Sequence, residues 1–388
     1  MKGYVRKRLS GKWEVVYDDG KHPDGKRKQK SVSIIATNKR EATKEMRRIL
    51  SEVDTGARRS DSQSVEDYLR HWLRSYAKIK VANRTFERYE GIVEKHLIPA
   101  FGSVNLHQLR PKDIREQYAR WRESGRLDHE KGGLSAKTVL QHHNVLHKAL
   151  EIAVKDEVVS RNVADGLRPP SGARKEIRCL DQAEYTKLLL AAQSSTIYVP
   201  ILLMLHCGLR RGEVLALRWK DIDLETRSIV VRSALEQTKA HGIQFKAPKN
   251  GRARTLPIGR DLVDALRGYK AEQNAIRLGL GAGYKDQDVV FANHDGSPRD
   301  PSGFTSSFRK LVTGAGFEDM GPHVLRHTAA TLMLSQGVHP KVASERLGHS
   351  TIAITMDMYS HVTPTMQEEA ADKIDAALRS ALPAKNVG

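Results

Sequence analysis

Val199-Pro200-Ile201-Leu202-Leu203-Met204-Leu205-His206-Cys207-Gly208-Leu209-Arg210-Arg211-Gly212-Glu213 reads as an apolar helix that breaks at Gly208, with a second helix starting after the break. Arg210 follows the apolar Cys207-Gly208-Leu209, which directs it into a cleft rather than onto an open surface. A helix N-terminus at that point also favours phosphate. Around this stretch the chain is mixed. Asp181 and Glu184 form a capping pair for a helix through Leu188 and Leu190. Strands are expected at Ser228–Arg232, near Gln244–Ala247 and at Arg254–Ile258, the last two joined across the tight turn Asn250-Gly251. Val289-Val290-Phe291 is a further short strand, and helices fill the remainder.

Two segments precede this one. The first alternates like strands, Trp13–Tyr17 and Ser31–Ile35, around a polar turn at Asp18-Asp19-Gly20 and a basic loop at Lys26-Arg27-Lys28. Thr37 or Asn38 then caps a helix through Ala42, Met46, Ile49 and Leu50. Such a sheet can lie in a major groove, and the plainer reading is a solvated basic subdomain. Past the polar linker 60–64, Val65, Tyr68, Leu69, Trp72, Leu73 and Tyr76 fall at helical spacing, with Ser64 as cap. A second helix covers Arg84 to Leu97 and stops before Pro99. A third runs from Pro111 to Glu123 and a fourth from Ser135 to Lys155. Pro169-Pro170-Ser171-Gly172 marks a boundary. The expected fold is multidomain α+β. Residues 1–60 form a small β-sheet-plus-helix domain, 61–170 a helical bundle, and 171–388 a mixed, mainly helical domain with a small antiparallel sheet.

The formal charge of +19 favours a polyanionic partner, because Lys and Arg that meet phosphates release counterions. Residues 1–60 hold 17 Lys and Arg against 8 Asp and Glu, close to half the excess in a sixth of the length. The most apolar run, Val199–Cys207, is under half the ~20 residues a spanning helix needs, so no membrane partner is expected. Two cysteines, Cys179 and Cys207, make neither a disulfide framework nor a metal motif, and the chain reads as a soluble intracellular protein. His323 and His327 are four apart, but Arg326 beside them opposes a cation and no Glu follows His323, so zinc is rejected. Asp221-Ile222-Asp223 lacks the later glycine and glutamate of a calcium loop, and Gly279–Gly283 is a turn rather than a dinucleotide loop. His142, His143 and His147 are expected to be exposed or to face DNA.

Cutting a phosphodiester without metal needs a nucleophile, guanidinium groups at the phosphoryl oxygens and a proton for the leaving oxygen. The third segment holds one candidate for each role: Arg210, Lys249 at the hairpin, His323 and Arg326 on one helical face, His349 in Leu347-Gly348-His349-Ser350, and Tyr359 in Tyr359-Ser360-His361-Val362. Together, Gly-Leu-Arg-x-x-Glu, a hairpin lysine, His-x-Leu-Arg-His, Leu-Gly-His-Ser and Tyr-Ser-His-Val resemble the motifs of the tyrosine site-specific recombinases of the phage-integrase kind, in that family's order.

The resemblance implies roles. Tyr359 would be the nucleophile, with Arg210 and Arg326 clamping the scissile phosphate. Lys249, at the family's offset from Pro257, would protonate the 5′ oxygen. His323 would assist proton transfer with Tyr359 and His349 would bond the phosphate, with Glu213 and His327 in support. It implies no metal and no cofactor, a 3′-phosphotyrosine intermediate, and integration or excision of a mobile element by a homo-tetramer. The double-stranded attachment sites would be core sites for the helical segment and arm sites for the first. An excisionase and a DNA-bending host factor are further implied partners, and the place of action would be the prokaryotic cytoplasm, at the nucleoid. Relaxation by a type IB topoisomerase and non-enzymatic DNA regulation are the rival readings. The tail from Thr363-Pro364, with Met366, Ala370, Ile374, Leu378 and Leu382 on one side, would pack on its own domain or on a neighbouring subunit.

Overall fold

The structure, a computed structural model, describes residues 3–8, 11–21, 27–54, 63–128, 130, 132–172, 178–248, 251, 253–359, 371–372 and 374–379. Side chains at 19–21, 27–28, 52–54 and 357–359 lie outside that description. The chain divides into two compact units, 1–174 and 175–388.

In the first unit, β1 (Gly3–Lys7), β2 (Trp13–Lys21) and β3 (Arg27–Ile34) form an antiparallel sheet in the order β1-β2-β3. Val15 and Tyr17 alternate into a core closed by Ile49 of α1 (Lys39–Asp54). Of the two candidate caps it is Asn38 whose Oδ1 accepts the Glu41 N–H, at 2.9 Å. Three expectations change here. Strand β1 was not foreseen, since only its Val5 packs on the core. Asp18-Asp19-Gly20 lies inside β2, where a register shift between Asp18 and Lys21 takes up the irregularity. Ile35 lies beyond the end of β3 and is fully exposed.

The helices of this unit enclose a separate core. α2 (Val65–Trp72) starts at Ser64, whose Oγ accepts the Asp67 N–H at 3.0 Å, and continues through a π-helical turn, Leu73–Ala77, to Lys80. α3 (Asn83–Ile92) continues the same way through Val93–Leu97 and Ile98–Phe101. It therefore passes Pro99 rather than stopping before it. The wider turn sets Pro99 at the start of a fresh helical turn, where its missing N–H matters least. α4 (Pro111–Ser124) and α5 (Ala136–Lys155) complete the bundle. Trp72, Leu97, Ile114 and Leu146 lie at its centre, each contributing roughly 1.5–3 kcal/mol by burial.

The histidines of α5 are not on its outer face. His142 and His143 are 2% and 8% exposed, three and four residues after Val139 in the buried stripe running from Val139 to Leu146. The Tyr118 hydroxyl lies 2.6 Å from His143 Nδ1, and the His142 ring packs on Trp121 and His96. Only His147 reaches the surface, with Nε2 2.8 Å from Asp165.

In the second unit, α6 (Gln182–Ala192) opens with the Asp181–Glu184 capping box. α7 (Tyr198–Cys207) is buried along most of its length and ends at Gly208 in the left-handed region, φ 62. α8 (Arg211–Leu215) follows at once. The strands pair differently from the expected hairpin. β4 (Ile222–Asp223), β5 (Ser228–Val231) and β8 (Arg254–Pro257) make one sheet, while β6 (Ala234–Thr238) and β7 (Gly242–Lys246) make another. Asn250 lies outside the described residues; Gly251 donates its N–H to the Pro248 carbonyl at 2.7 Å with φ 67, between β7 and β8, which belong to different sheets. Leu256 lies opposite Ile229 and shares its core, which rewards β8 for pairing with β5 rather than with β7. Val289-Val290-Phe291 is buried but forms only one isolated bridge, Val289 to Arg218, and the next residue, Ala292, bridges Pro298.

The remaining helices are α9 (Arg260–Leu280), α10 (Pro301–Gly314), α11 (His323–Ser335), α12 (Pro340–Leu347) and α13 (Ala353–Tyr359). Most of the tail lies outside the described residues; Ile374 and Leu378, within them, are exposed. Among the described residues no helix is long and apolar enough to cross a membrane.

Candidate active site

Gly208 has no Cβ, so the chain can turn where one would come within 2.3 Å of a Leu347 methyl. Leu209 then enters the core and Arg210 becomes the N-cap of α8. Glu213 caps it reciprocally. Its carboxylate accepts the Arg210 backbone N–H at 3.0 Å and Arg210 Nη1 at 2.7 Å. Arg210 Nη2 donates to the Gly348 carbonyl at 3.0 Å, which ties α8 to the turn after α12.

Arg326, one turn into α11, is only 5% exposed. Its Nη1 donates to the Gly208 carbonyl at 2.6 Å, whereas its Nη2 is buried and, among the described residues, without a hydrogen-bond partner. Burial, then Arg210, pushes its pKa down to about 9, which still leaves it charged at neutral pH. Glu213, at 1% exposure, is the carboxylate set among these cations. Burial alone would raise its pKa, but the hydrogen bond and charge of Arg254, followed by Arg210, hold it below the usual range.

The histidines are neutral. Partial desolvation, then the charges of Arg211, Arg326 and Arg210, lowers the pKa of His323 at the start of α11. His327 is lowered by burial, His323 and Arg326, and its Nδ1 is buried without a partner among the described residues. His349 follows Gly348, another left-handed residue at φ 67. Burial, then Arg326 and Arg210, brings its pKa down to about 4, and its Nδ1 lies 2.8 Å from the Thr355 hydroxyl.

Arg210, His349, Ser350 and Arg254 line a cleft of about 700 Å3, with Pro248 and Ala253. Lys249 lies outside the described residues. Tyr359 ends α13, one turn beyond Thr355, and its side chain also lies outside them. The structure thus gathers Arg210, Glu213, His323, Arg326, His327 and His349 in one region. Arg254 and Thr355 were not foreseen as members of it. Arg254 had a faint signal, an arginine three before Pro257 on a strand; Thr355 had none.

Residues 178–366 match the model of the phage integrase family, and residues 64–122 that of the phage integrase N-terminal SAM-like domain. A XerC-like tyrosine recombinase of Caldanaerobacter subterraneus subsp. tengcongensis is 26% identical over 80% of this chain and 82% of its own length. The ICEBs1 integrase of Bacillus subtilis is 25% identical over 96% of this chain and 100% of its own. The fold is also that of the Tn1549 transposon integrase, solved with circular intermediate DNA (TM-score 0.67, 23% identity, 80% of this chain and 100% of that one). A lambda integrase dimer bound to a core site aligns with TM-score 0.55 and 16% identity over 91% of this chain and 93% of its own. With both family models matched in chain order and full-length relatives of one kind, this chain belongs to the phage integrase family and is a tyrosine site-specific recombinase, an enzyme that breaks and rejoins DNA.

Proposed function

We propose that the chain integrates and excises a mobile element, with Tyr359 as the nucleophile. The Tyr359 oxygen bonds to the scissile phosphorus as the bond from phosphorus to the 5′ oxygen breaks, leaving a 3′-phosphotyrosine and a 5′ hydroxyl. His323, neutral at pH 7, takes the phenolic proton, and Lys249 gives one to the departing oxygen. Arg210 and Arg326 neutralise the phosphoryl oxygens. In the tautomer whose Nδ1 accepts a hydrogen bond from the Thr355 hydroxyl, His349 carries its hydrogen on Nε2 and donates it to the phosphate. A 5′ hydroxyl from the partner duplex then reverses the step, and the bond energy is conserved.

One observation carries this reading: a charged guanidinium nitrogen of Arg326 is buried and unpartnered among the described residues, beside Arg210. A buried cation in that state calls for an anion. The match to the SAM-like domain supports assigning 61–170 to core DNA, and the charge of 1–60 supports an arm-site reader there. Lambda integrase has been solved as a tetramer on a Holliday junction, which supports a tetrameric assembly here, with 171–388 as the catalytic domain. An excisionase and a DNA-bending factor would set its direction.

The test is a nicked suicide duplex carrying the attachment-site core. The wild type should form a covalent protein–DNA adduct and Tyr359→Phe none. No wild-type adduct would overturn the enzyme reading; an undiminished one from Tyr359→Phe would overturn the nucleophile. Joined product from two sites separates recombination from relaxation.

A further inference from the structure

Arg254, on β8, faces the same cleft as Arg210 but spends its donors differently. Nη2 and Nη1 donate to the two Glu213 oxygens, at 2.7 and 3.3 Å, and Nε donates to the Arg346 carbonyl at 3.0 Å. Its side chain is 14% exposed against 29% for Arg210. The Gly348 backbone lies so close that a Cβ there would stand 2.9 Å from Arg254 Nη1. The fork of Arg254 is therefore committed inward, whereas Arg210 is the more open of the pair.

These bonds form one chain of contacts. Glu213 receives Arg254 on one side and Arg210 on the other, and Arg210 reaches the Gly348 carbonyl. Arg254 holds the Arg346 carbonyl, two residues before Gly348 in the turn that presents His349. We infer that Arg254 is a positioning residue of the recombination reaction: by clamping Glu213 and the Arg346 carbonyl together, it fixes the Arg210 guanidinium and the His349 turn in one geometry for the scissile phosphate. The inference rests on the phosphate-clamp reading of Arg210 and His349. A bidentate fork is required, since one ammonium cannot span two carboxylate oxygens and a carbonyl in fixed directions. Arg254 is also the main cause of the lowered Glu213 pKa, so without it the buried carboxylate is less firmly charged and holds Arg210 less well.

The test uses the full chain on nicked duplexes carrying the core site, with either a phosphodiester or a methylphosphonate at the scissile position. Methylphosphonate replaces a charged oxygen by methyl, so the transition state depends less on an aligned guanidinium. Arg254→Gln should cleave the phosphodiester ~100-fold more slowly than wild type while binding the duplex within ~3-fold of it. On methylphosphonate the deficit should shrink to under ~5-fold. Arg254→Lys should regain less than ~10-fold, because it restores charge without the fork.

An equal deficit on both substrates would mark a merely structural role and overturn the inference, as would full recovery by Arg254→Lys or a wild-type rate from Arg254→Gln. Should Arg254→Gln fail to fold, Arg254→Lys decides alone: slow on the phosphodiester with a narrowed gap on methylphosphonate supports positioning, and a wild-type rate overturns it. Arg210→Gln separates the two layers. A wild-type rate from it overturns the clamp reading itself; a slow Arg210→Gln beside a normal Arg254→Gln overturns only the role of Arg254.

Discussion

His142 in the helical bundle and Arg326 in the second unit are both basic and nearly inaccessible, at 2% and 5% exposure. Each keeps one buried nitrogen without a partner among the described residues. They differ in what burial can do to them. An imidazole sheds its proton, and burial with His96 nearby brings the His142 pKa to about 4, so the bundle carries a neutral ring among aromatic rings. A guanidinium does not discharge at neutral pH. The second unit therefore needs a permanent counter-charge, Glu213, and is left with cationic excess facing a cleft. One kind of burial makes a neutral core, and the other leaves positive charge beside a cleft.

Glu213→Ala should break this contrast most severely. Arg210, Arg254 and Arg326 would face one another without their carboxylate, and the cost should be on the order of 3–5 kcal/mol. Denaturant unfolding measures it; a loss no larger than that of a neutral bundle hydrogen bond would show that the cations do not depend on Glu213.

The bundle should be next, and only in acid. The folded pKa of His142 lies below its unfolded value near 6.5, so the unfolded chain takes up the proton first. Its contribution is whole above about pH 6.5 and declines as pH falls toward about 4, by up to ~3 kcal/mol. His142→Leu should flatten that pH dependence in thermal unfolding. An unchanged profile would show that His142 is not the group being protonated.

Smaller effects sharpen the comparison. Tyr118→Phe leaves His143 Nδ1 without its hydroxyl partner and should cost ~1–2 kcal/mol, measured at pH 7.5, where the ring is neutral. Lys155→Ala removes an exposed pair with Glu151 and should leave the unfolding midpoint unchanged. A measurable drop would mean that surface charge matters more to the bundle than its buried rings.

Features set by near neighbours were legible in the sequence. Ser64 and the Asp181–Glu184 pair cap the helices where their spacing predicts, because a cap involves a few consecutive residues. Gly208 ends its helix where the sequence breaks, because a glycine takes the left-handed conformation without a Cβ penalty. Asn250-Gly251 misled for the complementary reason. A turn signal says that the chain reverses, not which strand receives it, and β8 joined β5 across more than twenty intervening residues. Pro99 misled because a π-helical turn two residues earlier changed the rule for its position. His142 and His143 were in fact marked by their place in the stripe from Val139 to Leu146, a periodicity outweighed by the expectation that histidine is polar.

The sequence by itself determined the family, and Arg210, His323, Arg326, His349 and Tyr359 were legible as candidate site residues because they stand in short motifs with fixed local spacing. Only the tertiary structure decided that Arg254 joins them, that Glu213 is shared between two arginines, and that Arg326 keeps a buried nitrogen without a partner among the described residues. The reason is physical. Backbone propensity and capping act over a few residues, whereas sharing one buried carboxylate requires β8, α8 and the turn after α12 to meet, and no local signal encodes that meeting.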